Sequence, residues 1–322
     1  MWLSVPVFIV GCVASALFVL PWFSAHTDIA RLPVIAGIVA WRAVCTWGLV
    51  LCTVLLTTSL IFRQFRRFAR SLLIPVASAA SIMVVTLMHG AEPQQGSENN
   101  VTSSLTVMSW NTNGSLVDAQ TIAAETLRHH PDVLVLPSIN SDVVQLLAAA
   151  LQPAGYVMAR PQDSLTAIFT TEQHTMLPSG RHATYSKSAA TIQLSNGMPR
   201  VVAVHLPIPL LSDGNAEWNR AVTALGELCE SDGPTIIVGD VNSTVDNFAG
   251  TGLAQCENAG AVMGKQYEGT WPTSLPATLG IPIDHVFVHG GGWKITDFTV
   301  LSSQDESGAR HRPVLATLGV SE

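Results

Sequence analysis

Three long apolar runs at the front of the chain, residues 2–23, 44–62 and 71–88, set the first constraint on its fold. A bilayer core takes about 20 helical residues, and each run comes close to that length. The first run lacks the basic front of a cleavable signal sequence, so it reads as a retained span. The third contains Pro75, which membrane helices tolerate. Arg63, Arg66, Arg67 and Arg70 crowd the short connection between the second and third runs. By the positive-inside rule that connection and the N-terminus are cytoplasmic, and everything after Met88 is extracytoplasmic. Residues 32–41 are apolar but short, and read either as an interfacial helix or as an extension of the second span. Arg42 closes that stretch and reads as a snorkelling cation at the interface rather than a functional charge.

Charge divides the chain at the same place. Residues 1–90 hold six basic residues and one acidic, whereas residues 91–322 hold ten basic and twenty-two acidic. An acidic globular part repels polyanions, which makes nucleic acid a poor partner and leaves the lipid bilayer as the expected one. Cys12, Cys45 and Cys52 serve as small apolar fillers of the spans. Cys229 and Cys256 belong to the part assigned to an oxidising compartment, where the sequence is compatible with a disulfide or with two thiols.

The organisation expected is therefore a membrane anchor over 1–89, a polar linker over 90–104 and a globular domain over 105–322. Within the domain, strand patterns fall at 105–110, 132–136, 167–170, 191–194, 201–206, 235–238, 283–289 and 314–318. Helical patterns fall at 118–130, 142–151 and 217–229, and Asn196-Gly197 marks a hairpin turn. Strands interleaved with helices in this way point to an α/β sandwich with both sheet faces covered.

Polar clusters recur where these strands stop. Residues 235–244 read Thr-Ile-Ile-Val-Gly-Asp-Val-Asn-Ser-Thr, a buried strand whose glycine lets Asp240 and Asn242 emerge together at its end. A carboxylate and a neutral amide so placed can hold a water or a phosphoryl oxygen between them. The other clusters are Trp110-Asn111-Thr112-Asn113, His205-Leu206-Pro207, Ile283-Asp284-His285 and Ala309-Arg310-His311-Arg312-Pro313. His129, His130, His174 and His182 show no metal-ligand spacing and read as surface or loop residues.

In order and spacing these clusters resemble the endonuclease/exonuclease/phosphatase superfamily, which includes DNase-type nucleases, inositol-phosphate phosphatases and sphingomyelinases. The resemblance runs from Leu105 to the end of the chain and implies a four-layer α/β/β/α sandwich, here preceded by three transmembrane helices. With those helices the chain is most similar to a membrane-anchored bacterial branch, the teicoplanin-resistance (VanJ-type) proteins, linked to dephosphorylation of undecaprenyl pyrophosphate. The resemblance implies that Asn111 bonds a phosphate oxygen or a metal ligand, and that His205 contacts the phosphate. It implies that Asp240 and Asn242 orient the attacking water, that His311 acts as acid/base or phosphate contact, and that Asp284 fixes its tautomer. Thr270-Trp271-Pro272 matches a substrate-loop signature, although Trp271 also fits an aromatic packed under a proline turn.

Two departures fall on the metal side. After the strand at 132–136 the family carries Gln-Glu, its main Mg²⁺ ligand, where this chain has Pro137-Ser138. Before the last histidine it carries Ser-Asp, where this chain has Ala309-Arg310. Ser138 offers only a neutral oxygen, unless Asp142 or Asp163 folds back to replace the missing carboxylate. Arg310 brings a guanidinium whose fork matches phosphate oxygens and so joins Asn111 and Trp271 as an expected substrate-binding residue. Two functions follow: an outward-facing phosphohydrolase acting on a lipid-linked phosphate or pyrophosphate, or an impaired relative that binds an anionic head group or a membrane-protein partner.

Overall fold

The computed structural model describes residues 4–23, 28–93, 101–114, 116–160, 164–177, 189–209, 213–230, 233–248 and 250–321. Asp163, His182 and residues 94–100 of the expected linker lie outside these ranges.

The N-terminal part holds α1 (Ser4–Val19), the short α2 (Ile35–Ala40), α3 (Arg42–Ser59) and α4 (Arg66–His89). Among the described residues three helices are long and apolar enough to cross a membrane: α1 with the turn after it, α3 and α4. Val10, Leu17, Leu51 and Ile74 are all more than half exposed, an outer surface suited to lipid rather than water. α4 packs against both α1 and α3. Where α1 crosses Pro75, a Cβ on Gly11 would come 2.7 Å from Leu72 Cδ2, so glycine permits the close approach. The stretch at 32–41 forms a separate short helix rather than an extension of the second span. Arg42 does not snorkel: it is 5% exposed and ion-paired with Asp246, 204 residues along the chain.

Among the described residues twelve strands follow, with helices between them. They are β1 (Val101–Ser109), α5 (Ala119–His129), β2 (Val133–Leu136), α6 (Ser141–Leu151), β3 (Val157–Ala159), β4 (Ala167–Thr170), β5 (His174–Met176) and β6 (Ala190–Leu194). Next come β7 (Arg200–His205), α7 (Asp213–Gly226), β8 (Thr235–Asp240), β9 (Glu257–Asn258), α8 (Ala259–Val262), β10 (Asp284–His289), β11 (Trp293–Val300) and β12 (Val314–Ser321). One sheet has the order β11-β12-β1-β2-β4-β3 and the other β5-β6-β7-β8-β10-β9. Val107, Val135, Ile236, Val238 and Val286 share the core that includes inward residues of both sheets. Ile122, Val144 and Leu147 of α5 and α6 cover the outer face of the first sheet, with Leu136 and Phe169. Trp218, Val222 and Leu225 of α7 cover the second, with Ile237 and Phe287. The result is the expected α/β/β/α sandwich, and the switch from Ile236 and Val238 inward to Ile237 outward is the strand period that builds it.

Some boundaries differ from the sequence expectation. β1 begins at Val101, pairing with Ser321, so the expected linker overlaps a strand. β3, β5, β9 and β11 carry no strong strand pattern. In β11 a register shift between Ile295 and Asp297 breaks the alternation, and as an edge strand it tolerates exposed Lys294 and Thr296. Cys229 and Cys256 are joined as a disulfide, which resolves the alternative left open by the sequence.

Candidate active site

β8 lies between a parallel β7 and an antiparallel β10, and the register pairs Asp240 with His205 on one side and with Asp284 on the other. Paired residues project to the same face, so three polar side chains form one row across three strands. Gly239 makes this approach feasible. Its φ is 137°, and a Cβ there would lie 2.1 Å from the Val204 carbonyl oxygen.

Asn242 follows with a left-handed φ of 51°, which asparagine tolerates better than most residues. Its backbone N–H donates to Asp240 Oδ1 at 2.8 Å, and its Nδ2 donates to the Leu206 carbonyl, also at 2.8 Å. The amide nitrogen is thereby occupied and Oδ1 is left for a ligand. Asn111 reaches over from the end of β1 in the facing sheet, and its Nδ2 donates to Asp240 Oδ2 at 2.8 Å. Its Oδ1 accepts the Asn113 N–H at 2.9 Å, which sets the orientation of the amide. His311, just before β12, holds Nδ1 2.9 Å from Asp284 Oδ2 and 3.9 Å from Asp240 Oδ2. His205 is partly exposed, its Nε2 3.7 Å from Asp240 Oδ2.

Burial opposes charge on His311, but Asp284, its hydrogen bond and Asp240 outweigh that and push the imidazole up to about 9. Asp284 thus holds His311 at Nδ1 as a cation at neutral pH. Asp284 is buried too, yet the His311 charge and hydrogen bond hold its carboxyl below the usual range. Asp240 goes the other way: burial and the neighbouring Asp284 raise it, against the pull of the two histidines.

Two supporting residues escaped the sequence reading. Thr270 Oγ1 accepts the backbone N–H groups of Ile283 at 3.1 Å and Asp284 at 3.2 Å, fixing the start of β10. Arg312 is fully buried, pairs with Asp305 and donates to the carbonyls of Gly269 at 3.0 Å and Leu275 at 2.6 Å. The only hint was position: one sits in the quoted Thr-Trp-Pro stretch and the other next to His311.

The remaining expected residues stand apart from this network. Arg310 is exposed, and its side chain has no hydrogen bond or ion pair among the described residues. Trp271 is half-buried with its ring 6.1 Å from that of Trp41, among the N-terminal helices, and does not pack solely under its own proline turn. Asp142 is exposed in the first turn of α6. His129 bonds Glu125 on its own helix, and His174 bonds the Glu172 carbonyl.

Asp240, Asp284 and His311 offer one atom each within 4.8 Å of one another, close enough to surround an ion. The 2.9 Å separation, however, is that of an Nδ1–H donated to a carboxylate, and the imidazolium already supplies the positive charge between the two acids. Asp284 Oδ1 is buried without a hydrogen-bond partner, but it belongs to the carboxylate already paired with that cation. A hard Mg²⁺ requires carboxylate and other oxygen ligands, and at Ser138 there is only a hydroxyl. The residues present do not fit the metal as the family holds it.

Residues 108–307 match the Endonuclease/Exonuclease/phosphatase family. The chain belongs to this family. The match takes in Asn111, His205, Asp240, Asn242 and Asp284 and ends short of His311, whose place in the site is given by geometry. No curated protein matches the chain by sequence. Among solved structures it is similar to a humanized D. rerio TDP2 carrying 14 mutations, at 17% identity over 68% of this chain and 100% of that one, with a TM-score of 0.55. It is also similar to a 3'-5' exonuclease from Neisseria meningitidis, at 19% identity over 68% and 100% of the two chains, with a TM-score of 0.52. A family protein from Bacteroides thetaiotaomicron gives 15% identity, coverage of 68% and 99%, and a TM-score of 0.51. At such identities these likenesses show the endonuclease/exonuclease/phosphatase fold and nothing finer.

Proposed function

We propose that the protein is a membrane-anchored, outward-facing phosphohydrolase whose substrate is a lipid-linked phosphate or pyrophosphate ester. One observation carries this reading: the site end of the sandwich is the end that meets the membrane segment. Asn247, in the turn after Asp240 and Asn242, donates to the Ala30 carbonyl at 2.8 Å, and Trp271 packs on Trp41. A head group anchored in the same bilayer reaches such a site at high local concentration. The ends of α3 and α4 that bear Arg42 and Thr86 also lie on the domain side and the Arg63–Arg70 cluster at the other end, an arrangement that supports the cytoplasmic placement expected from the positive-inside rule.

In the chemical step Asp240 and the Asn242 amide oxygen hold a water against phosphorus, and Asp240 takes its proton as the P–O bond to the leaving group breaks. Its raised pKa suits it to that role. The His311 imidazolium, oriented by Asp284, faces the developing negative charge and returns a proton to the leaving oxygen, with His205 as a second contact. Arg310 is exposed and can swing onto a phosphate oxygen, supplying part of the positive charge that a metal would bring and for which Ser138 offers no carboxylate.

Ser138 also supports a second reading, a binding protein for an anionic head group or a membrane-protein partner, because a family site without its metal carboxylate loses several kcal/mol of charge stabilisation. Phosphate release from undecaprenyl pyrophosphate by the full chain in detergent, with Mg²⁺ and with EDTA, separates the two. Release in EDTA that Asp240→Asn abolishes supports hydrolysis as described. Release that requires Mg²⁺ overturns the metal-free site. Head-group binding without release in either condition favours the second reading.

A further inference from the structure

Outside the site, the described residues hold one buried ionic cluster that joins the membrane segment to the catalytic domain. Arg42, at the first residue of α3, donates from Nη1 to Asp246 Oδ1 at 2.5 Å and from Nη2 to Thr86 Oγ1 of α4 at 2.6 Å. Its guanidinium lies 4.8 Å from the centre of the Tyr267 ring. Side-chain exposure is 6% for Arg42 and 10% for Asp246. Between Arg42, Asp246, Tyr267, Thr244 and their neighbours the junction leaves a cavity of only about 10 Å³. A surface ion pair contributes little to stability, whereas a buried one that loses a partner leaves an uncompensated charge.

The position of Asp246 gives the pair its consequence. It lies in the turn Val245–Asn247, which begins three residues after Asn242. Asn247 of the same turn is fixed twice: its Oδ1 accepts the Thr244 N–H at 3.0 Å, and its Nδ2 donates to Ala30. Adjacent residues of one turn are therefore clamped by two different points of the membrane segment, Arg42 and Ala30. The domain holds the flanks of this segment itself, through Val241, Val245 and Phe248 in the core under α7 and through the Trp218 Nε1 hydrogen bond to the Val241 carbonyl, whereas the Asp246 carboxylate and the Asn247 amide nitrogen turn to the N-terminal helices.

Resting on the proposed hydrolysis, we infer that Arg42 is a positioning residue. Through Asp246 it orders the segment 241–247 that presents Asn242, so the catalytic loop is completed by the membrane segment and not by the domain alone. A lipid-borne substrate then meets a preorganised loop only where the domain is seated on its own anchor.

Hydrogen exchange of the full-length protein in detergent tests this without requiring turnover. In Arg42→Met, amides of 241–247 are expected to exchange about tenfold faster, with those of 236–238 unchanged, and Arg42→Lys to restore part of the protection. Asp246→Asn removes the same link from the domain side and serves if Arg42→Met fails to fold. With undecaprenyl pyrophosphate as substrate, kcat is expected to fall about tenfold or more in either variant, with KM within about twofold. Unchanged exchange at 241–247, or a rise equal throughout the domain, would overturn the inference. A wild type that releases no phosphate but shows the local exchange change would sink the hydrolytic reading and leave the ordering role standing.

Discussion

Asp240 stands directly opposite Asp284 in the antiparallel register of β8 and β10, and the His311 imidazole spans the gap between their carboxylates. Two buried acids in adjacent strands would repel one another. The imidazolium makes the pair tenable, and this dependence has a measurable signature in pH.

Because His311 is raised from its ordinary 6.5 to about 9, its contribution to stability is fully present below pH 6.5 and is lost as pH rises through 9. The effect is on the order of 3 kcal/mol by linkage. The resistance of the full chain to chemical denaturation is expected to fall between pH 6.5 and 9, and His311→Gln to flatten that part of the profile. Asp284→Asn should lower the His311 pKa and activity together, by roughly 10² in kcat.

Gly239→Ala places a methyl group 2.1 Å from the Val204 carbonyl at a φ of 137°. Relief requires β8 to move away from β7, which displaces Asp240 from His205. The variant is expected to lose at least about 2 kcal/mol and nearly all activity, read by thermal unfolding and by turnover.

Thr270→Val keeps the shape of the side chain but leaves the N–H groups of Ile283 and Asp284 without their shared acceptor. A loss of roughly 1–3 kcal/mol is expected, while Thr270→Ser stays near wild type. Equal unfolding midpoints for the two variants would show that the hydroxyl contributes nothing.

Cys229 and Cys256, 27 residues apart, close a loop between the end of the α7 region and the approach to β9. The chain-entropy account gives about 3–4 kcal/mol for such a loop. The double serine variant should unfold that much more easily, read by thermal unfolding under non-reducing conditions.

The residues with direct polar roles in the site were legible because each lies at or beside one end of a recognisable strand. Gly239-Asp240-Val241-Asn242 and Ile283-Asp284 carry their chemistry next to β-branched runs, so both position and residue type could be read together. Thr270 and Arg312 were not legible, since their roles consist of hydrogen bonds to backbone groups of segments distant in sequence. β11 was obscured by the register shift that interrupts its alternation.

The linear chain determined the local outcomes on its own: three apolar helices from hydropathy and length, the layered sandwich from its strand and helix periods, and the identity of the polar residues at strand ends. Only the tertiary structure decided how these parts meet. Sequence placed Arg42 at a membrane interface as a snorkelling cation, and folding gave it Asp246, 204 residues away, as a buried counter-ion. It likewise set His311 between two acids and turned Trp271 toward Trp41. The physical reason is that burial and a counter-charge fix the state of an ionisable side chain, and both are supplied by segments far along the chain.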